Sequence, residues 1–332
     1  MTFAWWGRAS AGALRRLRRT GAGGFPGVHL IVLSVAGTAV PAVALDTLVS
    51  AEQEIRRMWA ASASLSYRGT ASYQQGNALT TVRLVRAVRG GDQRERIEYL
   101  DGPRSEIISK GGRAGCADVL RSGLPGAVEA HYRVAFLDTG RIAGRPVSRI
   151  QLQPRDGHRY GRLLGIDRDT GLLLQALTFD EEGQLLERFQ FSEIAIGVVI
   201  DEAELEPRMT HHRVVEPSTC DSSRERPSGP QRQWRASWVP PGFSVFTTGA
   251  ADELHYSDGF SAFSIFTELD AEPGPVVEAR YGPTMAHVSR LQWQDDGYRV
   301  CVVGEIPMST ARRIADSVER IPADSATVAS PQ

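Results

Sequence analysis

Between residues 46 and 62, apolar side chains return every three to four positions. Leu48, Val49, Ile55, Met58 and Trp59 share one broad face. That spacing predicts an amphipathic helix over Asp46–Ser62. From Leu65 the period shortens. Short alternating runs rich in aromatic, β-branched and hydroxyl residues occupy 65–73, 79–88, 94–100, 106–108, 131–137, 146–152, 159–166, 171–179 and 184–191. Turn chemistry separates them: Gln75-Gly76-Asn77, Gly90-Gly91-Asp92, Asp167 to Gly171, and Glu181-Glu182-Gly183. Strands joined by tight turns predict a meandering antiparallel sheet, not alternating βαβ units. Such a sheet needs cover on one face, and the helix at 46–62 can supply it.

The pattern breaks at 212–232. Pro217, Cys220, Pro227, Gly229 and Pro230 stand among serines and arginines, a linker composition. A second domain is expected from Gln233. Strands are predicted over 260–268, 276–281, 288–295 and 297–303, the last two joined by the hairpin signal Asp295-Asp296-Gly297. A closing helix over about 310–321 has Ser309 as candidate N-cap, with Ala311, Ile314, Ala315, Val318 and Ile321 on one face. The expected division is therefore 1–44, 45–211, linker 212–232, 233–322, and a polar tail at 323–332.

Residues 1–44 carry Arg8, Arg15, Arg16, Arg18 and Arg19 and no acid. An apolar run through Leu30-Ile31-Val32-Leu33 follows, then Ala42-Val43-Ala44. These are the three parts of an export signal, with cleavage expected after Ala44. The apolar run contains Gly37 and Pro41 and falls short of the ~20 residues of a spanning helix. Cleavage would leave 33 basic against 39 acidic residues, so a nucleic-acid partner is not expected. Three cysteines, Cys116, Cys220 and Cys301, allow incidental thiols or a Cys220–Cys301 bridge.

No catalytic constellation emerges. The seven histidines show no helical metal-ligand spacing, there is no Gly-x-Ser-x-Gly elbow, and the Gly21–Gly27 stretch follows no strand. No cofactor or metal is expected, and the chain does not read as an enzyme. What remains is aromatic. Met58, Trp59, Tyr67, Tyr99 and Phe189 are candidate lining of an acyl-chain groove between helix and sheet, with plain core packing as the alternative. Trp234, Trp238, Tyr256, Phe260 and Phe263 are candidate partner contacts, because alternation along 260–266 turns some of them outward.

Several phrases in order carry a resemblance. They are Met58-x-x-Ala-x-x-Ser-Leu-Ser-Tyr-x-Gly-Thr70, Arg94-x-Arg-Ile-Glu-x-Leu-Asp-Gly-Pro103, Ile142-Ala-Gly-Arg-Pro146, His158-Arg-Tyr-Gly161, Asp169-Thr-Gly-Leu-Leu173 and Leu185-Leu-Glu-Arg-Phe-Gln-Phe191. Trp238-Val-Pro-Pro-Gly-Phe243, Tyr256-Ser-Asp-Gly-Phe260 and Val303-Gly-Glu-Ile-Pro307 complete the series. Over about 46–321 the chain resembles the RseB/MucB family of periplasmic sigma-factor regulators. The resemblance implies an α+β protein: an N-terminal unclosed antiparallel β-barrel around a helix, of the LolA/LolB kind, and a smaller α/β C-terminal domain. It implies binding to the periplasmic part of an RseA/MucA-like membrane anti-sigma factor, shielding of that factor from proteolysis, and relief by lipopolysaccharide or lipoprotein acyl signals. Homo-oligomers and a periplasmic location are implied too. The 109–130 stretch is shorter than the family pattern, which weakens the expectation of lipid sensing. A lipid or lipoprotein carrier is the alternative function.

Overall fold

The structure is a computed structural model that describes residues 42–110, 127–209, 212–215, 233–246, 253–270 and 275–321. Most of the expected export signal and linker, the tail, Cys116 and Cys220 lie outside these residues. Helix α1 (Ala42–Ser64) leads into β1 (Tyr67–Gln75), β2 (Ala78–Arg89), β3 (Asp92–Tyr99) and β4 (Ser105–Lys110). A short helix α2 (Ala127–His131) precedes β5 (Tyr132–Ile142), β6 (Arg145–Pro154), β7 (Gly161–Asp167), β8 (Leu173–Phe179) and β9 (Leu185–Ile196). Helix α3 (Glu202–Leu205) and β10 (His212–Val215) follow. These ten strands form one sheet in the order β10-β4-β3-β2-β1-β9-β8-β7-β6-β5. The two end strands do not meet, so the sheet is an unclosed half-barrel, as the resemblance implies, and nearly all of its pairings are the antiparallel ones the strand pattern predicts.

Strand alternation sorts side chains into an inner and an outer face. On the inner face, Phe136, Ile150, Leu164, Ala176, Phe189 and Tyr73 stand opposite one another across six strands. Ala51, Ile55 and Met58 of α1 pack against Val134, Ile150, Leu152, Leu164, Ile166 and Leu173. On the outer face, Val85 and Ala87 are covered by Ile200 and Leu205. Buried Glu106 there accepts from the Arg96 guanidinium at 3.0 Å and from the backbone N–H groups of Arg208 and Met209 at 2.7 Å each. These bonds to Arg96 and the amides outweigh the cost of burial and lower the Glu106 pKa.

The second domain holds β11 (Trp234–Ala236), β12 (Ser244–Phe246), β13 (Glu253–Ser257), β14 (Ala262–Leu269), β15 (Val277–Tyr281), β16 (Thr284–Trp293), β17 (Asp296–Gly304), α4 (Met308–Asp316) and β18 (Val318–Arg320). Six strands run in the order β12-β13-β14-β17-β16-β15, and β11 pairs with β18. Ala311, Ile314 and Ala315 bring α4 onto Leu254, Phe263, Ile265, Met285, Val300 and Val302.

Three local differences from the sequence pattern have physical reasons. Residues 212–215, expected in the linker, add a parallel strand to β4, a long-range pairing with no local signal. The closing helix stops at Asp316, and 318–320 turn into a strand because Trp234–Ala236 offers a ladder. Pro307, not Ser309, is the N-cap.

Candidate functional site

A dense cluster of polar bonds lies where the second domain meets one end of the half-barrel's inner face. One step beyond the apolar inner row, the cross-strand partners are Leu152, Arg162, Thr178, Glu187 and Gln75. The inner face thus ends in a polar rung. Arg162 donates to Thr178 Oγ1 at 3.2 Å on its own sheet, and across the seam to Glu305 at 2.9 Å and Ser261 at 3.3 Å. Gln75 Nε2 donates to the Tyr281 carbonyl at 3.0 Å.

Beside the rung, the turn Asp258–Ser261 enters the first domain. Asp258 Oδ1 accepts the backbone N–H groups of Phe260 and Ser261 at 2.9 and 2.7 Å, which fixes the turn. Its Oδ2 accepts Tyr132 O–H at 2.8 Å and Arg159 at 2.9 Å. The Phe260 side chain, 1% exposed, sits in the first domain's core, with ring centroids 5.4 Å from Trp59 and 5.6 Å from Tyr132. Tyr160 O–H donates to the Ile306 carbonyl at 3.0 Å, and His158 meets the Trp238 ring at 5.1 Å and Thr310 Oγ1 at 3.1 Å. Gly242, at φ +88°, backs onto the His131 ring with no room for a Cβ.

The phrases His158–Gly161, Trp238–Phe243, Tyr256–Phe260 and Val303–Pro307 thus converge on one seam. In the sequence these phrases carry the family resemblance, but they assign no role to Arg159, Arg162, Glu187, Asp258 or Glu305. Charged residues in alternating strands read as surface, and the usable signal was only their place inside or beside those phrases.

The electrostatics of the seam are uneven. Arg159 and Arg162 are 1% exposed, Glu305 4%, Asp258 5% and Glu187 8%. Burial and the charge of Glu305 push the Glu187 carboxyl up to about 7, against the hydrogen bonds from Tyr73 and Thr178 and the attraction of Arg162. Burial also raises Glu305, against the pull of Arg162. Tyr132 is raised well above its usual value by burial and by Asp258.

The predicted site residues separate into groups. Met58 and Trp59 belong to the cluster under α1, whereas Tyr67, Tyr99 and Phe189 belong to a neighbouring cluster of the same domain. Trp234 and Phe263 lie in the second domain's core, and Tyr256 stacks on Phe263 at 4.9 Å. Trp234, Phe260 and Phe263 therefore face inward here, because each completes a core. Trp238 and Tyr256 are half-buried, and Arg313 lies 3.8 Å from the Trp238 ring centroid. Among the described residues no group of three or more His, Cys, Asp or Glu side chains could hold a metal ion, and no helix is long and apolar enough to cross a membrane.

The MucB/RseB N-terminal domain model matches residues 50–209, and the MucB/RseB C-terminal domain model matches 228–319. The chain belongs to the MucB/RseB family. It is 34% identical over 313 residues to the sigma factor AlgU regulatory protein MucB of Pseudomonas aeruginosa, covering 87% of this chain and 96% of that protein. It is 26% identical over 297 residues to the sigma-E factor regulatory protein RseB of Haemophilus influenzae, covering 82% and 91%. The P. aeruginosa MucA/MucB complex superposes with TM-score 0.67 at 33% identity, over 82% of this chain and all of that one. The crystal structure of MucB in complex with MucA(peri) superposes with TM-score 0.66 at 34% identity, over the same shares. MucB/RseB relatives are regulatory proteins by name, and the non-enzymatic reading of this chain rests on that membership.

Proposed function

We propose that this MucB/RseB member is an exported negative regulator that binds the periplasmic segment of a membrane anti-sigma factor and shields it from proteolysis. The observation that carries this reading is the likeness, across both domains, to MucB bound to MucA. The docked arrangement supports it: a seam of buried polar bonds presents two domains to a partner as one surface. Partner contacts are assigned to Trp238 and Tyr256, which are half-buried. Trp234, Phe260 and Phe263 would act by holding that surface in shape. Relief by envelope lipid or lipoprotein signals, a cleaved export signal and self-association belong to the same proposal.

The test uses the chain from residue 45 and the purified periplasmic segment of the anti-sigma factor encoded beside it. Binding by calorimetry and slower cleavage of that segment by a periplasmic protease are expected. No binding at tens of micromolar would overturn the assignment.

A lipid or lipoprotein carrier is kept as a second reading on one observation. The half-barrel's inner face is largely apolar and open-edged, with Tyr67, Tyr99 and Phe189 on it and Trp59 of α1 packed against it. A carrier would take up a fluorescent acyl probe without any anti-sigma segment.

A further inference from the structure

Within the seam the charges do not balance. Two buried guanidiniums, Arg159 and Arg162, face three buried carboxylates, Asp258, Glu305 and Glu187. Arg159 is committed to Asp258, with the half-exposed Asp156 also on its Nε at 3.1 Å. Arg162 is committed to Glu305. Glu187 accepts from the hydroxyls of Tyr73 and Thr178 and feels the charges of both Glu305 and Arg162, so two buried carboxylates share the charge of one guanidinium. A buried excess anion in low dielectric is costly, and taking up a proton removes it.

We propose that Glu187 and Glu305 form a proton-sharing clasp between the two domains, in which docking traps one proton that separation releases. The two halves of the clasp belong to different domains. Glu187, Thr178, Arg162 and Tyr73 stand on the half-barrel, and Glu305 and Ser261 on the second domain. Separation returns water to Glu187 and removes Glu305 from its side, so its carboxyl reverts to an ordinary acid. The docked state therefore holds the extra proton. Its pKa is raised, so the stabilisation is complete at acidic pH and is lost as pH rises through about 7.

The other ionisable neighbours do not reproduce this. Arg280 pairs with Asp180 at an exposed position. Tyr132 and Tyr160 are raised and stay neutral across the window. His158 and His131 also face the seam. Burial lowers His131, which gives the opposite sign: docking would weaken as pH falls. The clasp is a property of this chain alone, and its test needs no partner.

One proton with a docked pKa near 7 and an ordinary carboxylate value when separated predicts a docking constant that falls about tenfold from pH 6 to pH 8. Hydrogen exchange of the mature chain reads this directly, through peptides spanning 256–263 and 303–308 after correction for the intrinsic rate. Their protection should drop about tenfold between the two pH values, with no matching drop over 82–88 in the outer sheet. E187Q keeps a hydrogen-bond acceptor and removes the titration, so it should hold protection near the pH 6 level throughout. E305Q leaves Arg162 to Glu187 and should also be flat with pH. Unchanged wild-type protection across the window would overturn the clasp, and so would either variant retaining the tenfold drop. The wild-type profile decides the matter even if both variants fold poorly.

Discussion

Replacing Phe260 with Ala isolates the contribution of one side chain to domain docking. Its ring leaves its own domain and fills a space bounded by Trp59 and Tyr132 in the other. Truncating a buried Phe costs roughly 3–5 kcal/mol when the cavity does not collapse. Each lost edge or tilted ring contact adds about 0.5–1.5 kcal/mol. The Asp258 turn remains, since its bonds go to backbone N–H groups and to Tyr132 and Arg159. The loss should therefore fall on docking, and about 3 kcal/mol at the seam raises the separated fraction by more than a hundredfold. Hydrogen exchange over 158–162 and 303–308 should report that rise, while the strands of each domain keep their protection. Phe263→Ala is the control: its ring sits in the second domain's own core, so it should weaken that domain as a whole. Loss of less than 1 kcal/mol of seam protection in Phe260→Ala would refute the reasoning, as would equal loss throughout both domains.

Other substitutions probe different parts of the molecule. Arg162→Met leaves Glu305 buried without its cation and should cost roughly 3–5 kcal/mol by denaturant unfolding, recovered in part by adding Glu305→Leu. Tyr132→Phe removes a hydrogen bond to a buried carboxylate and should cost about 1.5–3 kcal/mol, with a clear coupling to Asp258→Asn in a double-mutant cycle. Gly304→Ala places a methyl against the backbone of Phe263 and the Ala262 carbonyl, where neither can yield; a thermal melt should show at least ~1–3 kcal/mol lost. Glu106 has a lowered pKa through Arg96 and two backbone amides. Its contribution should be full above the ordinary Glu value and fade as pH falls through the lower folded value, and Glu106→Gln should flatten that acid limb in an unfolding series.

Much of the architecture was legible in the chain because it is local. The helix over Ala42–Ser64 follows from the recurrence of Ile55, Met58 and Trp59, and the hairpins follow from turns such as Gly183, which adopts φ +78°. The hairpin expected at Asp295–Gly297 also forms, but its turn is Gln294-Asp295, with Gln294 at φ +54°, and Asp296 and Gly297 already pair within β17. The seam was not legible, for a physical reason. Alternation along a strand tells which side chains share a face, but not what covers that face. Phe260 could be read as outward from its own sheet, yet the neighbour it meets comes from residues 59 and 132. Arg162 finds its carboxylate 143 residues away, and Arg159 finds its own 99 residues away. Without those partners a guanidinium in a strand reads as solvated. The same limit applies to β10, whose parallel place beside β4 depends on an edge left free by a segment about 100 residues earlier.

The polar rung also bears on how the two halves can be inherited. Arg162, Glu187 and Gln75 on the half-barrel are matched to Glu305, Ser261 and the Tyr281 carbonyl on the second domain. A change on either side leaves a buried charge or amide unanswered on the other. The domains are therefore poor modules. A chimaera joining this half-barrel to a relative's second domain should dock only if both sets of rim residues travel together, and drift at the rim should proceed by paired replacements across the linker.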